Sequence, residues 1–180
     1  MAIDVKLMTI EEFAAMEAGS DRTELIRGEV SRMPPPGYEH GLIVATIAQL
    51  VGSFVRPRKL GVVVDNGGFK FEDHPDTVLA PDVSFISSSR IPDKKAGYPD
   101  LRPDLVFEVV SPSDLAVDVN RKVQIYLSSG VRMVCIVWPI TRSAELRASD
   151  DISRTLGEHE LIDFGDVIPG LQFHIEDLFD

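Results

Sequence analysis

The apolar positions between Glu39 and about Val55 recur at helical spacing, with Ile43, Ile47, Leu50, Val51 and Phe54 on one stripe. That pattern predicts a long helix with a single buried face. Leu115, Val119, Val123, Tyr126 and Leu127 predict a second helix. Ser113 or Asp114 can cap it, and Gly130 suits its stop. Two continuous apolar runs flank this helix, Leu105 to Val110 and Val131 to Val137. Strand, helix and strand make a βαβ unit, so the two strands are expected to be parallel. Thr9-Ile10-Glu11-Glu12 has capping-box spacing, which predicts a short helix ending near Gly19. Glu24 to Ile26 and Val30 to Met33 flank Arg27-Gly28-Glu29 and read as a hairpin. Pro34 to Gly37 is a loop. Gly61 to Val64 and Phe69 to Phe71 surround Asp65-Asn66-Gly67-Gly68, which predicts another hairpin. Val78 to Ile86 reads as one strand with Pro81 near its start. Ser87 to Pro99 reads as a loop. Ala144 to Ala148 and Thr155 to Ile162 follow as strand segments, and the tail is mixed around Phe173 to Phe179. The expected class is α/β, a mixed central β-sheet flanked by helices, with an N-terminal helix and β-hairpin. A length of 180 residues suits one domain spanning 1–180.

Composition adds bounds. A hydrophobic fraction of 44% and a mean hydropathy of +0.04 fit a globular chain. The pattern predicts no membrane-spanning run. The first residues, MAIDVKLMTIEEF, lack the long apolar core and small-residue cleavage site of a secretory signal, so a cytosolic location is expected. Cys135 is alone and lies in VRMVCIVW, where a buried, inert thiol is expected. The net charge of −11 argues against nucleic acid until its distribution is read. Residues 145–180 hold ten acids and two bases, leaving only −3 on the rest of the chain. Arg56, Arg58 and Lys59 form one basic cluster, and Arg90, Lys94 and Lys95 another. Each reads either as a solvated loop or as a local basic edge.

The candidate chemistry centres on RPDLVFEVVSPSD, residues 102–114. Glu108 shares a strand face with Val106 and Val110. A carboxylate among apolar side chains requires a partner, and a cation is the simplest one. Asp82 starts the strand in APDVSFIS and is the second acid. Two acids meeting across adjacent strands would suit Mg²⁺ or Mn²⁺. Lys122 lies at the margin of the second helix's buried stripe, where its amine can reach the sheet. Glu24 is a further acid outside the central strands. Each has an ordinary alternative: Asp82 as a turn carboxylate, Lys122 as a surface lysine, Glu24 paired across its hairpin. His40, His74, His159 and His174 show no zinc spacing, and no P-loop or GxSxG elbow is present.

These residues resemble the Uma-two family of restriction endonucleases, within the PD-(D/E)xK nuclease superfamily. The resemblance runs over nearly the whole chain. It is carried by ELIRGEV (24–30), His40, APDVSF (80–85), RPDLVFEVVSPSD with Lys122, Tyr126 and the Gly130-Val131 pair, and IPGLQFHIEDLF (168–179). It implies a restriction-endonuclease-like fold, a divalent metal and phosphodiester hydrolysis. By position, Asp82 and Glu108 would be metal ligands, with the carbonyl of Val109. The superfamily lysine two residues after the glutamate is here Val110, and Lys122 matches the helix lysine that substitutes for it. Glu24 matches the N-terminal acid. One departure is IVWPI, with Trp138 where the family has an aspartate before the proline.

The resulting expectation is a Mg²⁺-dependent endonuclease acting on DNA, working as a homodimer because cutting two strands favours two symmetric sites. Two alternatives stand beside it. One is a binding or scaffold protein that keeps the fold with little catalysis. The other is a hydrolase of a small phosphodiester.

Overall fold

The structure is a computed structural model and describes residues 7–16, 22–91, 97–148 and 153–179. Gly19, Lys94 and Lys95 lie outside the described residues. α1 (Ile10–Ala14) opens with the capping box expected of Thr9 and Glu12, each side chain accepting from the other's backbone N–H. It is shorter than the sequence suggested, one turn being enough to bury Phe13, its only core residue. β1 (Arg22–Ile26) and β2 (Glu29–Met33) form the expected hairpin. Its turn has Arg27 and Gly28 at φ 51° and 80°, the left-handed pair that matches strand twist. α2 (Tyr38–Val55) buries Ile43, Val44, Ile47, Val51, Gly52 and Val55, while Leu50 and Phe54 flank the stripe. By length and composition α2 could cross a membrane, contrary to the expectation from apolar runs, yet this face packs on a sheet as a core helix does.

Three strand expectations are corrected, two of them around β3 to β6. β3 (Gly61–Asp65) and β4 (Phe69–Glu72) do not form a hairpin. β3 pairs with β6 (Val83–Ser87), and β4 pairs with β5 (Thr77–Leu79). The turn between β3 and β4 instead carries the chain from one sheet to the other. Gly68 sits against the Tyr98 ring, where a Cβ would lie 2.7 Å from ring carbons. The single strand expected over Val78 to Ile86 is β5 and β6 in different sheets. It breaks at Ala80-Pro81-Asp82, because Pro81 has no N–H for a ladder.

β7 (Leu105–Val109), α3 (Ala116–Ser128) and β8 (Met133–Trp138) form the expected unit, with β7 and β8 parallel. The N-cap of α3 is Leu115, not Ser113 or Asp114. The Asp114 carboxylate instead accepts the Ser111 N–H at 2.8 Å, closing the turn before the helix. β9 (Ser143–Ala148) and β10 (Ser153–Leu156) pair as a hairpin. The run to Ile162 stops at Leu156; β11 (Leu161–Asp163) pairs with β12 (Gln172–His174).

The larger sheet has six strands in the order β10-β9-β8-β7-β6-β3, and the smaller has β2-β1-β5-β4. The alternation read in β7 holds. Leu105, Phe107 and Val109 face one cluster with α2 and the C-terminal segment, where Phe107 meets Phe164 edge-on. Val106 faces the other cluster, with Val123, Ile125 and Tyr126 of α3 and Phe69 and Phe71 of β4. Cys135 is buried as expected, which pushes its thiol pKa up and leaves it inert.

Gly61 tests the β3–β6 pairing. A Cβ there would meet the Ile86 carbonyl oxygen at 2.1 Å and the Phe85 ring at 2.7 Å. Gly61→Ala is expected to destabilise by about 1–3 kcal/mol or more, read as a lower urea midpoint. An unchanged midpoint would contradict the pairing.

Candidate active site

The four acids and bases read from the sequence meet where the two sheets adjoin. The break at Pro81 places Asp82 immediately before β6, 2% exposed and not at a solvated sheet edge. β6 and β7 are antiparallel with Val83 opposite Phe107. Carrying that register one step sets Asp82 beside Glu108. Asp82 Oδ2 accepts the Val109 N–H at 2.9 Å and lies 3.3 Å from His40 Nε2 in the first turn of α2. Arg22 Nη2, on β1, donates to Oδ1 at 3.1 Å. Burial would raise the Asp82 pKa, but the hydrogen bond and charge of His40, the Val109 N–H and the Arg22 charge outweigh it and lower it. The His40 pKa, which burial would lower, is raised by the same pairing.

Glu108 is served from α3. Lys122 Nζ lies 3.3 Å from both its carboxylate oxygens, and the Tyr126 hydroxyl donates to Oε1. Lys122 and Tyr126 are one turn apart, so both reach the same acid from one helix face. Lys122 Nζ also lies 3.1 Å from Glu24 Oε1, which accepts the Ala80 N–H at 3.0 Å. Glu24 therefore does not pair across its hairpin. Its carboxyl is 2% exposed and binds α3 and the segment just after β5. Lys122 is not a surface lysine: its side chain is 15% exposed between two acids. Burial would lower its pKa, but Glu108 and Glu24 raise it, so it stays protonated.

The Glu108 pKa is raised to about 7. Burial is the main cause. The charges of Asp82 and Glu24 add to it, while Lys122 and the Tyr126 hydrogen bond oppose it. Among the described residues no group of three or more His, Cys, Asp or Glu side chains is arranged to hold a metal. The donor chemistry nevertheless fits a hard cation held by two carboxylates, with water or substrate oxygens completing its shell. Glu108 is crowded by like charge that a divalent cation would relieve. The Val109 carbonyl leaves the strand on the same edge as the N–H that Asp82 binds, so it faces the same space.

Sequence reasoning missed the roles of Arg22, His40 and Tyr126. Tyr126 had a signal, its i+4 spacing from Lys122. His40 entered only through the family resemblance, with no partner assigned to it. Arg22 had none, being 60 positions from Asp82. The basic clusters lie elsewhere. Arg56, Arg58 and Lys59 are exposed past the far end of α2, about 27 Å along that helix from its start. Arg90 pairs with buried Asp104 at 2.7 Å, at the opposite end of β7 from Glu108.

A family model described as "Uma2: Putative restriction endonuclease" matches residues 10–176. The chain belongs to the Uma2 family. Among solved structures, it is similar to a crystal structure from Anabaena variabilis ATCC 29413 described as a "putative nuclease belonging to DUF820". Identity is 22%, the match covers 96% of this chain and 97% of that one, and the TM-score is 0.84. At that identity the likeness establishes a shared fold. No curated protein matches the chain. The α/β, restriction-endonuclease-like reading of the Uma2 chain is thus the observed one. Trp138 ends β8, two positions beyond Ile136, the residue that pairs with Glu108.

The raised Glu108 pKa sets a sign for stability. The folded state holds the proton more tightly than the unfolded chain, so the contribution is full below about 4.5 and lost as pH rises through about 7. Glu108→Gln is expected to gain stability relative to the parent between pH 5 and pH 8, measured by urea unfolding at each pH. A constant difference across that range would contradict the crowding of charge at this site.

Proposed function

We propose that this Uma2 protein hydrolyses phosphodiester bonds in DNA with the help of Mg²⁺ or Mn²⁺. The observation that carries the reading is the meeting of Asp82, Glu108 and Lys122, from three separate elements, in one buried group with Glu24. Asp82, Glu108 and the Val109 carbonyl would hold the cation. When bound, it supplies Lewis-acid charge at the scissile phosphate. Lys122, fixed as a cation between Glu24 and Glu108, orients the attacking water and offsets charge that develops on the phosphate. It is not a general base, because its proton is held. Tyr126 keeps Glu108 oriented, and His40 and Arg22 do the same for Asp82. The water oxygen bonds to phosphorus as the bond to the 3′ oxygen breaks; the water releases a proton to solvent, and the leaving 3′ oxygen takes one up from solvent. A two-fold pair of copies would set one site on each strand.

A second reading has its own observation: the chain's own cations already bind every acid of the site. Arg22 and His40 take Asp82, and Lys122 takes Glu24 and Glu108. This would describe a fold kept for binding. Binding of Mn²⁺ with no cleavage of DNA or RNA across metals and salt would favour it.

The test is cleavage of plasmid DNA with Mg²⁺. Glu108→Ala and Asp82→Asn are each expected to lower the rate by roughly 10²–10³-fold or more, with circular dichroism reporting an intact fold. Retained cleavage by Glu108→Ala would sink the assignment. Because Glu108 must ionise to take a cation, apparent Mg²⁺ affinity should weaken by about tenfold per pH unit below about 7. Titration of Mg²⁺ at several pH values reads this slope.

A further inference from the structure

We propose that Arg22 is the residue of this site that grips a substrate phosphate, through the guanidinium donors that Asp82 does not use. The inference deepens the nuclease reading and rests on it for the nature of the ligand. Arg22 lines two open clefts, which also share Pro36 and Asn66. One, of about 330 Å³, is lined also by Glu24, Asn66, Ala80 and Tyr98. The other, of about 210 Å³, is lined also by His40, Asp65 and Asn66. Among the described residues Arg22 donates through Nη2 alone, to Asp82 Oδ1 and, at 3.4 Å, to the Ala80 carbonyl. Among the described residues Nε and Nη1 have no hydrogen-bond partner.

The other cations of the site are less available. Lys122 lies between Glu24 and Glu108, and its side chain is 15% exposed against 28% for Arg22. The His40 side chain is 10% exposed, with Nε2 against Asp82 and, among the described residues, no hydrogen-bond partner for buried Nδ1. A guanidinium suits the task. It is always charged, and with Nη2 turned to Asp82 and Ala80 each remaining N–H can donate singly to a phosphate oxygen. Arg22 would thereby set a phosphate directly beside Asp82. In a chain of net charge −11, local grip of this kind matters more than a broad basic face.

The experiment measures binding of a short fluorescein-labelled DNA duplex by anisotropy in EDTA, over a range of NaCl concentrations, beside Mg²⁺-dependent cleavage. Arg22→Gln is expected to weaken binding and to make the slope of log K against log salt shallower by about 0.9, the loss of one phosphate contact. A purely structural Arg22 would lower cleavage and leave that slope unchanged, which overturns the proposal while the nuclease reading stands. Asn66→Asp guards against a folding defect in the first variant. Asn66 is exposed and lines both clefts, and the substitution keeps the backbone N–H that donates to the Asp82 carbonyl at 3.2 Å. A carboxylate there should weaken binding severalfold at low salt, and unchanged binding overturns the proposal. If the parent protein binds DNA with an Arg22-dependent slope but never cuts, the phosphate grip stands and the nuclease reading fails. Absence of any binding by the parent in EDTA overturns the phosphate grip, and Mg²⁺-dependent cleavage by the parent decides the nuclease reading separately.

Discussion

The ammonium of Lys122 is the contact on which the site's architecture turns. It bonds Glu24 from the smaller sheet and Glu108 from the larger one, and so ties α3 to both. Each of these acids would be destabilising if left alone in the interior, because removing a charge from water without a partner is severely unfavourable. One cation answers for two of them. Packing follows the same lines: Tyr126, one turn along α3, is both a fully buried core side chain and a donor to Glu108. Its ring meets Phe71 of the smaller sheet at 5.0 Å, so apolar contact and charge pairing hold the helix in one position.

Asp82 is solved differently. It lies at the joint where Pro81 ends pairing in one sheet before β6 begins in the other, and its donors come from β1, α2 and β7. Three elements distant in sequence must all be in place before this carboxylate is satisfied. That requirement makes the group specific to the folded state, and it leaves the two acids with opposite characters. Asp82 is held ionised, whereas Glu108 is pushed toward neutrality by burial and by its acidic neighbours. Pairs of carboxyls driven apart in this way are a mark of functional sites.

Local pattern carried far in this chain. The βαβ unit, the first hairpin, the long helix and the alternation around Glu108 were legible because each rests on spacing within one segment. Asp82 and Glu108 stood out as acids at apolar strands, whereas Lys122 and Glu24 each had an ordinary alternative, and only the fold shows that the four lie in one cluster. The failures share one cause. Asp65 to Gly68 is a turn in either case, and only its surroundings decide whether the next strand returns or leaves. β3 leaves because its partner is β6, some twenty positions on, and Gly68 must lie flat on Tyr98. Ser113 and Asp114 are both good caps by type, but Asp114 already holds Ser111.

The amino-acid order alone therefore settles which residues are apolar, where strands and helices form, and which charged groups cannot rest without partners, because these depend on neighbours a few positions away. Who supplies those partners is a matter of three dimensions. Arg22 and His40 reach Asp82, and Glu24 reaches Lys122, only after two sheets have packed around α3. Those contacts span from about forty to nearly a hundred positions, a distance over which no periodicity survives, and the geometry of the packed sheets is what brings the charges together.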